Sequence, residues 1–282
     1  MWSRIVSCRP IFNRPLPAGS SFRRGRLKIG PQDTILPHKG VGLRLAGVRR
    51  AFDQLVVISS MDLAVDPGEF LAILGPSGCG KSTLLRLIAR LAEPNAGRIA
   101  IEPDGRFQTG FVFQDAQLLP WRTVLGNAAL PLELMGVPRT EREAKARAAL
   151  EQVGLGEAEE RYPAQLSGGM RMRVSIARAL VTEPRLLLLD EPFAALDEIT
   201  RFHLEAQLRE LWQRRGMTVI FVTHSISEAA FLANRAVVLA RRGGRIRLDR
   251  RLDLPETRDT ALRADPQLGR EMQILLGAME EE

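Results

Sequence analysis

The stretch EFLAILGPSGCGKST, Glu69 to Thr83, decides how the rest of this 282-residue chain is read. Its first half is a short, continuously apolar run of the kind that forms a buried strand. Its second half, Gly75-Pro76-Ser77-Gly78-Cys79-Gly80-Lys81-Ser82, fits the pattern G-x-x-x-x-G-K-[ST] and runs into Thr83. Ser82 to Leu91 behind it reads as a helix. Strand, glycine loop and helix in that order make a phosphate cradle: glycines let backbone N–H groups close around a phosphate chain, and the helix N-terminus adds partial positive charge. In such a cradle Lys81 reaches the β- and γ-phosphates and Ser82 ligates Mg²⁺. The chain contains four lysines, Lys28, Lys39, Lys81 and Lys145, among 40 basic residues. A lysine at this position fits a demand for a compact ammonium where a broad guanidinium is excluded.

A second apolar run, RLLLLDEPFAALD from Arg185, ends in Asp190 and Glu191. Strands of a parallel sheet offer their C-terminal ends to a ligand held at the same edge. Asp190 is therefore expected to hold Mg²⁺, and Glu191 to orient and deprotonate an attacking water. Adjacent strand residues point to opposite faces, which would separate the two roles. A third segment, Leu166-Ser167-Gly168-Gly169-Met170, is a second anion grip. It caps a helix whose body carries Arg171, Arg173 and Arg178, and these arginines are expected to contribute to it.

Outward from these motifs, LRLAGVRRAF and VVISSMDLAV read as strands flanking a turn at Asp53, and Gly97–Ile101 and Gly110–Phe113 as further strand pieces. From Thr123 to about Leu180 the pattern is helical. Strand character returns in RLLLLD, TVIFVT and AVVLA, with helices expected over about 198–215 and from Ile226, and a hairpin at Gly243-Gly244. The alternation predicts a mostly parallel α/β sheet interrupted by a helical insertion. A helix-like tail begins near Thr260.

Composition narrows the function. No apolar run reaches the roughly 20 residues of a membrane span, and no hydrophobic signal segment is evident, so a soluble or peripheral protein is expected. The formal charge is +7, yet residues 1–40 carry eight basic residues against Asp33 alone, leaving the remainder formally neutral. That segment lacks periodicity and is expected to be disordered. Binding to an anionic membrane surface and a start assigned too far upstream are both open readings of it. Cys8 and Cys79 fit free thiols in a reducing compartment, and three scattered histidines argue against zinc.

Six motifs (the phosphate loop, Gln114 in FVFQD, LSGGM, LLLLDEP, ALD and VTHS) occur in the order and spacing of the ATP-binding subunits of ABC transporters. Over about residues 42–250 the chain resembles that family. The resemblance implies a P-loop NTPase of ABC type: a mostly parallel sheet core, a helical subdomain over about 116–180 and a small antiparallel β subdomain, with an ATPase domain over 41–250 and a tail over 251–282. It implies ATP with Mg²⁺, and two copies sandwiching two ATP molecules head to tail. Ser167, Gly168 and Gly169 of one copy would cap the γ-phosphate held by the other copy's Gly75–Thr83 loop. Phe52 matches the aromatic that stacks on adenine, a core phenylalanine being the alternative. Gln114 matches the residue that senses Mg²⁺ and the attacking water, His224 the histidine that contacts the γ-phosphate, and Asp197 the loop that couples the two sites. Met170 and Met172 depart from the glutamines common at these positions, and Ala194-Ala195 from a serine-led form, but no phosphate ligand is lost.

Between Gln114 and Ser167 lie 52 residues, too few for the coiled-coil inserts of chromosome-maintenance relatives, and no second cassette follows. A transport subunit is favoured over an exporter cassette or a ribosome- or nucleic-acid-acting ATPase. DAQLLPW, Asp115 to Trp121, is similar to importers of the nitrate, sulfonate and taurine group. By that resemblance the chain serves a separate integral membrane permease at the cytoplasmic face of the bacterial inner membrane, is peripheral there, and meets a periplasmic solute-binding protein only indirectly. Nucleic acid is not an expected partner. Trp121 either docks the permease or packs the subdomain core.

Overall fold

A computed structural model of the chain describes residues 40–103 and 109–280. The basic extension read from residues 1–40 lies outside the described residues, apart from Gly40. The chain opens with two long strands, β1 (Gly42–Phe52) and β2 (Leu55–Val65), joined by a tight turn in which Asp53 adopts φ +52°. With β4 (Ala96–Glu102) they form a three-stranded antiparallel sheet in the order β2-β1-β4.

The second sheet has six strands, β3 (Phe70–Leu74), β5 (Thr109–Val112), β6 (Leu186–Asp190), β7 (Thr218–Val222), β8 (Arg235–Leu239) and β9 (Ile246–Arg251). Their order is β5-β6-β7-β3-β8-β9. All neighbours are parallel except β8 and β9, which form the hairpin expected at Gly243-Gly244. Strands β3, β6 and β7 are buried at every residue, because both faces of the sheet are covered. Alternation along β3 divides the core: Phe70, Ala72 and Leu74 join one apolar cluster, Leu71 and Ile73 the other. Each of the larger side chains among them, Phe70, Leu71, Ile73 and Leu74, stabilises the fold by about 1.5–3 kcal/mol on leaving water.

Helix α1 (Lys81–Ile88) follows the phosphate loop. It stops short of Leu91 because Ala89 caps it and Arg90 turns left-handed at φ +58°. Helices α2 (Val124–Leu134), α3 (Arg139–Gln152) and α4 (Gly168–Leu180) lie between β5 and β6 as the helical insertion. Helix α5 spans Glu198–Arg215, bounded by the Asp197 N-cap and by Gly216 at φ +61°. Helix α6 (Ile226–Leu232) follows β7, and the tail forms a 3₁₀ turn over Thr260–Ala264 before α7 (Pro266–Glu280). Buried Arg258 secures the tail by donating to Ala230, Phe231 and Ala233 carbonyls at 2.7–2.9 Å, capping the end of α6. Among the described residues, no helix is long and apolar enough to cross a membrane.

Candidate nucleotide site

Because β3, β5, β6 and β7 are parallel, their C-terminal ends lie along one edge, and the loops leaving them carry the residues singled out in the sequence. From β3 comes the phosphate loop. Gly75, Gly78 and Gly80 adopt φ +154°, +80° and +106°, and a Cβ on Gly75 would lie 2.8 Å from Cys79 Sγ. Glycine is required there both for backbone angle and for space. Pro76 accepts the Cys79 N–H at 3.3 Å, closing the loop, while Ser77 and Gly78 are exposed at its tip. The Cys79 side chain is buried, and burial pushes its thiol up, which leaves it protonated and unreactive.

Lys81 is the first residue of α1 and only 5% exposed. Its ammonium donates to the Gly75 carbonyl at 2.7 Å and to the Pro76 carbonyl at 3.1 Å, so the loop aims it from within. Ser82 Oγ donates to Asp190 Oδ1 at 3.0 Å, bringing together two residues 108 apart in sequence; Thr83 follows, half-buried. Burial pushes the Asp190 carboxyl above its ordinary range, opposed first by the Ser82 hydrogen bond. These two oxygens suit a hard divalent cation. Among the described residues there is no group of three His, Cys, Asp or Glu for a metal, so a cation here would need phosphate oxygens or water to complete its shell.

Glu191 corrects the expectation drawn from strand alternation. Strand β6 ends at Asp190, and Glu191 turns left-handed at φ +47° while its N–H donates to the Val222 carbonyl at 2.9 Å. The two carboxylates diverge because the chain bends between them. The bend directs Glu191 to the loop after β7, where Oε2 lies 2.9 Å from His224 Nδ1. Gln114, two residues beyond β5, is exposed at the same edge. Register pairs Val112 with Leu189, so the segment carrying Gln114 leaves the sheet next to the end of β6.

Phe52 ends β1 and is 48% exposed, so it is not a core phenylalanine. The Arg50 guanidinium covers one face of its ring, 4.4 Å from the centroid. Trp121, 70% exposed, likewise does not pack the subdomain core.

Ser167 is the N-cap of α4, its Oγ accepting the Met170 N–H at 3.2 Å, with Gly168 and Gly169 opening the helix. A Cβ on Gly169 would meet Leu196 Cδ2 at 2.7 Å, so this end of α4 packs on the loop before Asp197. Asp197 Oδ1 caps α5 by accepting the Thr200 N–H at 2.9 Å, and this bond holds its carboxyl below the ordinary range. Among the described residues, no hydrogen bond joins Ser167–Gly169 to the phosphate loop.

Each of the three arginines of α4 donates to main-chain carbonyls. Arg171 donates to the Leu166 carbonyl at 2.6 Å, and Arg173 to Val153 and Gly154 at 3.2 and 3.3 Å. Arg178 donates to Ala116 at 2.8 Å and Gln117 at 3.0 Å. Arg173 and Arg178 are turned onto carbonyls of their own chain, although Arg173 Nε finds no partner among the described residues. Arg171 Nη2 lies 3.8 Å from where a Cβ on Gly168 would stand, so Arg171 stays beside the grip. Arg178 is a residue the sequence did not single out for its real contacts: it ties the loop after Gln114 to the helix that Ser167 caps.

A glycine cradle with an aimed lysine, beside a buried acidic strand end, defines a P-loop nucleotide-binding protein. Comparison with known proteins narrows the class. Residues 58–194 match the model of the ABC transporter family. The chain is 49% identical over 226 residues to the aliphatic sulfonates import ATP-binding protein SsuB of Ralstonia nicotianae, covering 78% of this chain and 76% of that one. It is 47% identical to the protein of the same name from Mycobacterium sp. (strain MCS), covering 83% and 94%. Among solved structures it resembles a dimeric post-hydrolysis state of an ATP-binding cassette bound to ADP and Pi, with 32% identity, a TM-score of 0.67, and 76% of this chain and all of that one covered. The chain belongs to the ABC transporter family, as an ATP-binding, ATP-hydrolysing cassette.

Proposed function

We propose that this chain powers import of an aliphatic sulfonate or a similar small oxyanion, organosulfur or organonitrogen solute through a separate membrane permease. The importers with aliphatic sulfonate names, 47–49% identical over most of the chain, support the solute class. Two copies close head to tail over two ATP molecules, peripheral to the cytoplasmic face of the membrane. The solute-binding protein meets the permease and not this chain.

The observation that carries the hydrolytic reading is the Glu191–His224 contact at 2.9 Å, beside the Ser82–Asp190 pair at 3.0 Å. The loop Gly75–Thr83 wraps the phosphates, and Lys81, with two of its three donors on loop carbonyls, directs the third to the β- and γ-phosphates. Phe52 stacks on adenine with the ring face that Arg50 leaves open. Ser82 and Asp190 would hold Mg²⁺, with Gln114 beside it, and a cation held there would offset the charge of the phosphates. Glu191 Oε2 takes the proton of the attacking water. With Nδ1 of His224 turned to Glu191, Nε2 is the nitrogen left to face the γ-phosphate. Ser167, Gly168 and Gly169 cap the γ-phosphate bound by the other copy, and Asp197 links the two sites across the dimer.

The helical insertion of residues 116–180 carries the permease contact. Exposed Trp121 and Leu134 support this, held near one another by the Arg122–Glu133 ion pair at 2.9 Å and rimmed by charge. The test is affinity capture of the tagged chain from detergent-solubilised membranes of its host, then assay of ATP turnover by the captured complex in liposomes with an alkanesulfonate, taurine or nitrate and the binding protein. A multi-spanning permease and stimulation by the sulfonate are expected. Ribosomal or DNA-bound partners without a permease would overturn the importer, and stimulation by nitrate alone would overturn the solute class.

A further inference from the structure

Glu228 is 4% exposed, on the first turn of α6, and none of the roles above uses it. Ser225-Ile226-Ser227-Glu228 has the spacing of a capping box, in which the glutamate reaches back to the N-cap N–H. Half of that box forms, with Ser225 Oγ accepting the Glu228 N–H at 3.3 Å. The other half is diverted. The Ser225 N–H donates to Thr223 Oγ1 at 3.0 Å, and the Thr223 hydroxyl donates to Glu228 Oε2. The second carboxylate oxygen, Oε1, lies 3.8 Å from the Arg201 guanidinium on α5. Arg201 in turn donates its backbone N–H to the Asp197 carbonyl at 2.9 Å.

The carboxylate therefore spans two elements, the Thr223–Ser225 turn that carries His224 and the helix that Asp197 opens. A cap alone needs no such burial, since an exposed glutamate would serve it, and an ionised carboxylate under protein is costly unless partners are provided. Burial pushes the Glu228 carboxyl up, while the Thr223 hydroxyl, Arg201 and His224 oppose it and Glu191 adds to it. The charges of the Glu191–His224 pair are thus felt at Glu228.

We propose that Glu228 is a positioning residue for ATP hydrolysis: by holding Thr223 and Arg201 together, it fixes the turn that aims His224 at Glu191 and ties that turn to the helix behind Asp197. The proposal rests on the reading of Glu191 and His224 as the hydrolytic pair. Displacement of a reacting group by about 1 Å costs up to about 100-fold in rate, so a large effect is expected without contact to substrate.

The test is ATP turnover and ATP affinity of the full chain carrying Glu228→Ala, Glu228→Gln or Thr223→Val. Glu228→Ala should lower kcat by about 10- to 100-fold, with KM and Kd for ATP within about twofold of the parent. Glu228→Gln, whose amide oxygen still accepts from Thr223, should fall between the two. In a His224→Ala background, Glu228→Ala should cost less than about twofold more in single-turnover rate, because its route of action is gone. Equal losses in both backgrounds, parallel losses of kcat, affinity and Tm, or an unchanged kcat would each overturn the proposal. Should Glu228→Ala not fold, the near-isosteric Glu228→Gln decides the same outcomes. Parent-like turnover in Glu191→Gln and His224→Ala would instead overturn the hydrolytic reading itself, whereas inactive Glu191→Gln with parent-like Glu228 variants would overturn only the positioning role.

Discussion

The phosphate loop and the Leu166–Met170 segment are both serine- and glycine-bearing starts to a helix, yet they are built oppositely. The loop is finished within its own chain: Lys81 is buried and bonded to two loop carbonyls, and Ser82 is bonded to Asp190. Ser167 is exposed, and among the described residues its hydroxyl is engaged only with the N–H of its own helix cap. One grip is pre-organised for a ligand of its own chain, and the other is presented outward. That difference supports the proposal that two copies build composite sites.

The largest effect is expected on breaking the outward grip. Ser167→Arg puts a bulky side chain at the mouth of α4, and it should lower ATP turnover about 100-fold or more while leaving ATP binding to a single chain unchanged, measured with a fluorescent ATP analogue. Lys81→Ala should do the reverse, weakening nucleotide affinity by about 10- to 100-fold through loss of a charged hydrogen bond. Mixing the two inactive chains sharpens the comparison. A mixed dimer pairs the intact phosphate loop of one copy with the intact Ser167 of the other, so partial turnover should return. No recovery, in a mixture shown to contain mixed dimers, would mean that each grip serves its own chain.

The sequence made the sheet legible because its strands are buried on both faces and read as unbroken apolar runs, as in LLLLD and TVIFV. The bounds of α5 were equally readable, since Asp197 and Gly216 are strong cap signals. What stayed hidden was set by contacts at long range. Nothing in DEP announces that Glu191, a non-glycine residue, turns left-handed and meets a histidine 33 residues away. Helical spacing shows the charge of the α4 arginines but not their partners; Arg178 finds its partner at Ala116, 62 residues upstream. Glu228 was invisible for a related reason, its local spacing being that of an ordinary capping box.

The smallest effect is expected at the adenine end, where neither grip acts. Phe52 is half-exposed, and its ring is covered on one face by Arg50 at 4.4 Å, which leaves one face for a base. Stacking of a base on an aromatic contributes about 1–3 kcal/mol, and the lower end suits a ring that solvent still reaches. Phe52→Ala should therefore weaken ATP binding by about fivefold, roughly 1 kcal/mol, with kcat at saturating ATP unchanged. Phe52→Trp should restore or strengthen binding, because a larger π-face presents itself to the purine. The comparison also predicts additivity: on the proposed reading Phe52 and Lys81 would contact opposite ends of the nucleotide, so their losses in affinity should sum. Parent-like affinity in Phe52→Ala would move the base elsewhere on the β1–β2 turn, while a loss of kcat without loss of affinity would tie Phe52 to closure of the dimer and not to the base.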